Sequence, residues 1–438
     1  MRHDVSRTTW PRRLAVAAPA LAVLVAAAAC GAPAAQRPMR APAQPASSGV
    51  GAPIRLVGPQ RVLVIPVRLP DVAPQRSMQQ ITGKVRRVAE WVQQASYGKA
   101  SIEATTLDWQ PLPHPLETYR VSQYNFQVDR TRVRRLVEDA LAAASRSTRV
   151  ADFPFVYIVV GAHTEPGTGY GMIAYCANPG MLTGVRRGRL ELERLALPGG
   201  GSYAGGVVVT AENAHPGHVV HDLLHALGGA KDGKRPVPDL YDYELQSNPP
   251  KGERMTPELF SIHTGPWDIM SHHFIRMDET PPPPPSSFIR RQLGWIDDAQ
   301  VVTVRPGETR EVTLAPLESG QSPLVVRIPL GTARYLLVEN RQPSGLGAVL
   351  PSSGMLVLEV NEDREEGTDI VRTIDANPSV PKLAHAPFQP GSGERRAHVS
   401  ASDGVAVAPL ALERDGRLRL VVTTPDRASA TGGVRRAP

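Results

Sequence analysis

One stretch constrains this chain more than any other: His215-Pro-Gly-His-Val-Val-His-Asp-Leu-Leu-His-Ala-Leu-Gly228. At about 100° per residue, His218, His221, Asp222 and His225 fall within roughly one third of a helix's circumference. Val219, Val220, Leu223, Leu224 and Leu227 fall on the opposite side. Pro216 suits a first helical turn, and Gly228-Gly229 a sharp stop. Such a helix packs one face into a core and presents imidazoles and a carboxylate on the other.

Around it the chain alternates between two periods. Arg61–Leu69 is a β-branched apolar run of the kind found in buried strands. From about Met78 to Ser96, Ile81, Val85, Val88, Trp91 and Val92 recur at helical spacing, and Gly98 stops them. A second helical pattern runs from about Val128 to Ser145 through Val133, Leu136, Val137, Ala140 and Leu141, and Phe153–Val160 and Gly206–Thr210 read as further strands. Interleaved strands and helices predict an α/β or α+β first domain, here taken as α+β over residues 59–299. After Trp295 the texture changes to short β-rich runs between Gly, Pro and Asp turns: Val301–Val304, Arg310–Leu314, Leu324–Ile328, Tyr335–Glu339, Gly354–Val360 and Leu418–Thr423. Regular short strands predict a β-sandwich over 300–425 and a disordered tail over 426–438. At 438 residues the chain is long enough for both domains.

The termini explain the charge. Arg12 and Arg13 precede the apolar run Leu14–Ala29, which is alanine-rich, interrupted by Pro19 and short for a membrane span. That is a signal peptide over residues 1–29, and it predicts export from a bacterial cell. Ala27-Ala-Ala-Cys30-Gly31 resembles a lipobox but lacks the usual Leu three residues before the cysteine. Lipidation at Cys30 and plain cleavage after Ala-x-Ala therefore both stand, and a lipid anchor at Cys30 is the one membrane attachment expected. Residues 30–58, rich in Ala and Pro, read as a disordered linker, too short for an inhibitory prodomain. The net charge of +7 comes mostly from arginines in these end segments, which leaves the body close to neutral. No basic stripe survives, so nucleic acid is excluded as a partner. Cys176 is the second of only two cysteines, so the mature chain is expected to hold no internal disulfide, and a monomer is expected.

His221 and His225, four residues apart, stand one turn above each other and can both reach one tetrahedral Zn2+ at ~2.0–2.1 Å. Between them, in zinc peptidases with the His-Glu-x-x-His motif, a glutamate passes a proton from water to the leaving amine. That position is Asp222, which offers the same carboxylate on a side chain one methylene shorter.

Further motifs follow in order: His221-Asp-Leu-Leu-His225, Gly228, Pro238-Asp-Leu-Tyr-Asp242 and Gly265-Pro-Trp-Asp-Ile-Met-Ser271. Leu69-Pro-Asp71, Ser96-Tyr-Gly-Lys99, Phe288–Trp295 and Tyr335-Leu-Leu-Val-Glu-Asn-Arg341 extend the pattern. Together they resemble the immune inhibitor A family of secreted bacterial zinc metalloproteases, a metzincin-like group. The resemblance implies a zincin or metzincin-like catalytic domain followed by the β-sandwich, with Asp239 as third zinc ligand and Met270 in a methionine turn under the metal, packed by Trp267 and Ile269. The family has Glu where Asp222 stands, and Gly229–Val237 is an apparent insertion. Asp232, by raw spacing, and His218 are alternative ligands. His263, His272 and His273, near the turn, are candidates for transition-state hydrogen bonding. In the C-terminal domain Glu359, Glu362, Asp363, Glu365, Glu366 and Asp375 form a candidate Ca2+ site.

The expected activity is zinc-assisted hydrolysis of a protein or peptide substrate, with Asp222 as general base. Two other readings are a surface-anchored binding protein with weakened or lost catalysis, which the Asp222 change motivates, and a structural lipoprotein without metal.

Overall fold

Strand β1 (Gly58–Arg68) carries six consecutive buried residues, Val62 to Val67, the pattern of a strand covered on both faces. A computed structural model describes it together with residues 49–119, 130–163, 174–177, 185–186, 189–190, 194–230, 233–247, 263–271, 281–391 and 396–430. On one side β1 pairs in parallel with β2 (Ala100–Thr106), on the other with β3 (Phe155–Val160). Beyond β3 lies the edge strand β4 (Ala174–Ala177), antiparallel to the intervening parallel strand β5 (Gly206–Ala211). The sheet order is β2-β1-β3-β5-β4, with Gln110–Pro111 extending the pairing of β1.

Alternate residues sort to the two faces, as the two-residue period of a strand requires. Val62, Val64, Tyr157, Val159 and Val208 share a core with helices α1 (Met78–Ala95) and α3 (Pro216–Gly228). Leu63, Ile65, Val67, Val156, Ile158, Val207 and Val209 pack with α2 (Arg130–Ala144) instead. Helix α1 starts with a reciprocal cap. Ser77 Oγ accepts the Gln80 N–H, and the Gln80 side chain accepts the Ser77 N–H. It ends where Tyr97 and Gly98 turn left-handed, at φ 57° and 75°.

The C-terminal half holds two further sheets behind a short helix α4 (Ser287–Gln292). Strands β6 (Val301–Thr303), β8 (Val325–Pro329), β9 (Arg334–Arg341), β10 (Gly354–Asn361) and β11 (Val371–Ile374) form one in that order. The other runs β7 (Arg310–Leu314), β14 (Leu418–Thr423), β13 (Val405–Leu412), β12 (His398–Ser400). Val326, Ile328, Leu336, Val338 and Val357 from the first meet Leu314, Val405, Val407, Leu420 and Val422 from the second in one core. The first sheet's other face, with Val325, Tyr335, Leu337, Leu356 and Leu358, joins the core around α1, α3 and Trp295. The arrangement is α+β with several sheets. The core runs unbroken past residue 300, because β9 and β10 are apolar on both faces.

Two segments expected to be disordered are partly built in. Residues 49–57 form a strap along the body. Val50, Gly51, Ile54 and Leu56 donate their N–H groups to the carbonyls of Glu362, Arg235, Gln292 and Leu293, and Trp295 Nε1 donates to the Leu56 carbonyl. The apolar Leu56 and Ile54 anchor there, which the Ala/Pro-rich composition masked. At the other end Pro425–Ala430 is a short helix with Ala428 buried. The signal peptide, Cys30 and the last eight residues lie outside the described residues, as does the side chain of Cys176. Among the described residues no helix is long and apolar enough to cross a membrane.

Candidate metal centre

Helix α3 starts at His215, whose Nδ1 accepts the Gly217 N–H (2.9 Å), and stops at Gly229, where φ is 64°. Its apolar face, with Val219, Val220, Leu223, Leu224 and Leu227, enters the core beside β5. The polar face is covered as well: His218, His221, Asp222 and His225 are 2%, 3%, 6% and 2% exposed. Helical period predicts a polar face and says nothing of what lies over it.

Asp239 folds back onto this face. Its Oδ1 lies 3.0 Å from Nε2 of both His221 and His225, and the two nitrogens are 3.2 Å apart. On the far side of each ring, His221 Nδ1 donates to the Ile269 carbonyl (3.0 Å) and His225 Nδ1 to the Val237 carbonyl (2.9 Å). A carbonyl oxygen only accepts, so each Nδ1 carries hydrogen and each Nε2 is left to face the carboxylate, with its lone pair free for a cation when the ring is neutral. With both rings neutral, three acceptors converge here, an arrangement that a shared proton or a metal cation satisfies. Tetrahedral ligands held at ~2.0–2.1 Å stand about 3.3–3.4 Å apart, close to these spacings. His221, His225 and Asp239 can hold a metal ion, and among the described residues they are the one group of three such side chains so placed.

The protein's own charges sort these groups. Burial by itself raises Asp239, but the charges and hydrogen bonds of His225 and His221 overcome it and hold the carboxyl well below its usual range. Burial lowers His221, yet its contacts with Asp239 and the charge of Asp222 outweigh that and leave it raised. His225 stays lowered, chiefly by burial, with Arg235 and His221 adding to it. Burial pushes the Asp222 carboxyl up to about 7, with Asp239 adding and His221 and Arg235 opposing. A carboxyl near neutrality beside converging ligands is suited to taking and returning a proton.

Several supports escaped the sequence reading. The Tyr243 hydroxyl donates to Asp239 Oδ2 (2.5 Å), and Arg235 Nη1 lies 3.7 Å from the same oxygen. Glu366 Oε1 accepts the Asp239 N–H (3.0 Å) and sits 3.2 Å from Arg235 Nη1. Beneath the site, Trp267, Ile269 and Met270, which the sequence did single out, are fully buried. Asp268 pins that turn, its carboxylate accepting the N–H groups of Met270 and Ser286, both at 2.7 Å. Burial raises the Asp268 carboxyl to about 6 against those hydrogen bonds. The turn reaches two of the ligands: the Ile269 carbonyl orients His221, and the Met270 carbonyl accepts the Leu240 N–H (3.0 Å) beside Asp239.

Other expected groups fall elsewhere. His218 is not drawn into the cluster, and burial, with the charges of His215, His221 and Lys84, keeps its pKa well below the ordinary value. His263 Nε2 lies 3.4 Å from Asp242 Oδ2. Asp232, His272 and His273 lie outside the described residues. The acids expected to gather around Ca2+ disperse instead. Glu359 pairs with Arg334 (2.7 Å), Glu362 accepts the Tyr335 hydroxyl (2.6 Å), and Glu366 turns to Arg235. Neighbouring cations and a hydroxyl claim these three, and among the described residues the six acids form no group of three converging ligand atoms.

No family model matches the chain, and no curated protein matches it. Among the solved structures that match is the crystal structure of metalloproteinase-II from Bacteroides fragilis, 11% identical, with a TM-score of 0.27 over 60% of this chain. The chain spans 59% of that protein's length. So distant a likeness carries no argument about fold or activity.

Proposed function

We propose that this chain is an exported zinc-dependent metalloendopeptidase acting on extracellular protein, with a zincin-like catalytic module and a β-sandwich behind it. The observation that carries the reading is the convergence of His221 Nε2, His225 Nε2 and Asp239 Oδ1 beside the carboxyl of Asp222. When bound, zinc supplies Lewis acidity toward a carbonyl oxygen and toward water. His221 and His225 are held in the ligating tautomer by the Ile269 and Val237 carbonyls. Tyr243 occupies the second oxygen of Asp239 and leaves the first to face the imidazoles. Asp222 accepts a proton at its carboxylate and returns it to the leaving amine, a task matched to a pKa near 7. Kinship with the immune inhibitor A family, export, and a lipid anchor at Cys30 belong to the same proposal, on the sequence motifs alone.

A second reading is a binding module that retains the metal site with weakened catalysis, and the short arm of Asp222 favours it. Zinc content of the purified protein, with cleavage of casein or gelatin by wild type, Asp222→Ala and Asp222→Glu, separates the two. Stoichiometric zinc and cleavage lost in Asp222→Ala is the expected result. Zinc with no cleavage until Asp222→Glu is introduced selects the binding module. A protein that takes up no zinc after reconstitution is neither.

A further inference from the structure

The loop between β10 and β11 belongs to the C-terminal half, yet it delivers two residues to the metal centre. Glu366, 6% exposed, accepts the Asp239 N–H (3.0 Å) and faces Arg235 at 3.2 Å. The Gly367 carbonyl accepts the Tyr243 N–H (3.0 Å), and a Cβ at Gly367 would come within 2.1 Å of the Tyr243 ring. That ring is the one whose hydroxyl holds Asp239. The strap ties the same parts together, since Gly51 donates to the Arg235 carbonyl and Val50 to the Glu362 carbonyl.

Arg235, 4% exposed, therefore stands between two acids and beside a ligand ring: Glu366 at 3.2 Å, His225 Nδ1 at 3.4 Å and Asp239 Oδ2 at 3.7 Å. In a buried site a guanidinium and a metal ion compete for one carboxylate, with little water to screen either. A second acid that engages the guanidinium leaves the ligating carboxylate to the cation. We propose that Glu366 is a positioning residue of the metal site: it engages Arg235 more closely than Asp239 Oδ2 does and fixes the Asp239 backbone, so the C-terminal half completes the centre. The inference rests on the metal site proposed above and concerns its affinity rather than its reaction.

The test uses the full-length protein and two readouts, zinc affinity by competition with a chromophoric chelator and the visible spectrum of the cobalt(II) form. Glu366→Gln is expected to weaken zinc by about 10–100-fold and to alter the cobalt spectrum, the scale typical of residues behind metal ligands. Arg235→Gln is expected to bind zinc at least as tightly as wild type. Glu366→Gln with Arg235→Gln is expected to recover most of the loss, because the competing cation has gone. A purely structural role would lower the melting temperature of Glu366→Gln and leave the cobalt spectrum of the folded fraction unchanged. Wild-type affinity in Glu366→Gln, or a double variant no tighter than the single, overturns the proposal. Should Glu366→Gln fail to fold, the charge-free double variant and Arg235→Gln decide it: a loss of about tenfold or more in either overturns it. A wild type that binds no zinc removes the metal site itself, an outcome distinct from wild-type binding that Glu366→Gln leaves unchanged.

Discussion

Glu339 and Arg341 on β9 are buried as deeply as His221 and His225 on α3, but their polar atoms face different company. Glu339 accepts the Ser287 N–H (2.6 Å) at one oxygen and Arg341 Nη1 (3.0 Å) at the other, while Arg341 Nη2 donates to the Trp267 carbonyl (3.2 Å). Each of those acceptors meets a donor. In the α3 cluster, with both rings neutral, acceptor meets acceptor across 3.0–3.2 Å. The β9 pair is matched within the protein at these atoms, Arg341 Nε alone of its polar atoms lacking a partner among the described residues, and joins the C-terminal sheet to α4 and the turn of Met270. The α3 cluster is matched when a proton or a metal cation lies between its members, so its arrangement can hold a metal ion.

The largest test of that contrast falls on β9. Arg341→Met leaves Glu339 buried without its ionic partner and is expected to cost about 3–5 kcal/mol in urea denaturation. Glu339→Gln together with Arg341→Met should recover part of this, because a neutral amide is cheaper to bury. A cost below about 1 kcal/mol for Arg341→Met would mean the pair is not the joint described.

Next in size is the pH dependence of the chelator-treated protein. Asp222 titrates near 7 in the folded chain against 3.8 unfolded, so the fold favours its neutral form. The stability contributed is full below the unfolded pKa and is lost as the pH rises toward 7. From pH 5 to pH 8 this amounts to roughly 2–3 kcal/mol. Asp222→Asn removes the titration, so its stability relative to wild type should rise by about that much over the interval. A stability difference between the two proteins that stays the same at pH 5 and pH 8 in urea melts would show that burial of Asp222 does not strain the polar face of α3.

The smallest effect is expected beneath the cluster. Met270 fills the floor by shape, and its backbone makes the hydrogen bonds, so Met270→Leu should cost less than about 1.5 kcal/mol and leave zinc affinity unchanged. A large loss of affinity would give the thioether a role beyond packing.

Helices α1 and α3 and strand β1 were legible because each carries a clean period and a local stop signal. Strand β13 was not, because Val405-Ala-Val-Ala-Pro-Leu-Ala-Leu412 is alanine-rich and Pro409 argues against a central strand. The sheet accommodates that proline at a register shift between Pro409 and Ala411. In the site, His221 and His225 followed from spacing and Asp239 from an ordered motif. Arg235 and Tyr243 carried no signal, and Glu366 was grouped with acids that point elsewhere.

What the sequence determined by itself is local: which residues share a helix face, where α1 and α3 stop, and that two imidazoles stand one turn apart. Those follow from covalent geometry and period, which act over a few residues. The tertiary structure decided which carboxylate meets the imidazoles, which tautomer they hold, and that Glu366, 127 residues from Asp239, supports the latter. Hydrogen bonds across such distances are set by how sheets and loops pack, and the residues at their two ends bear no periodic mark of each other.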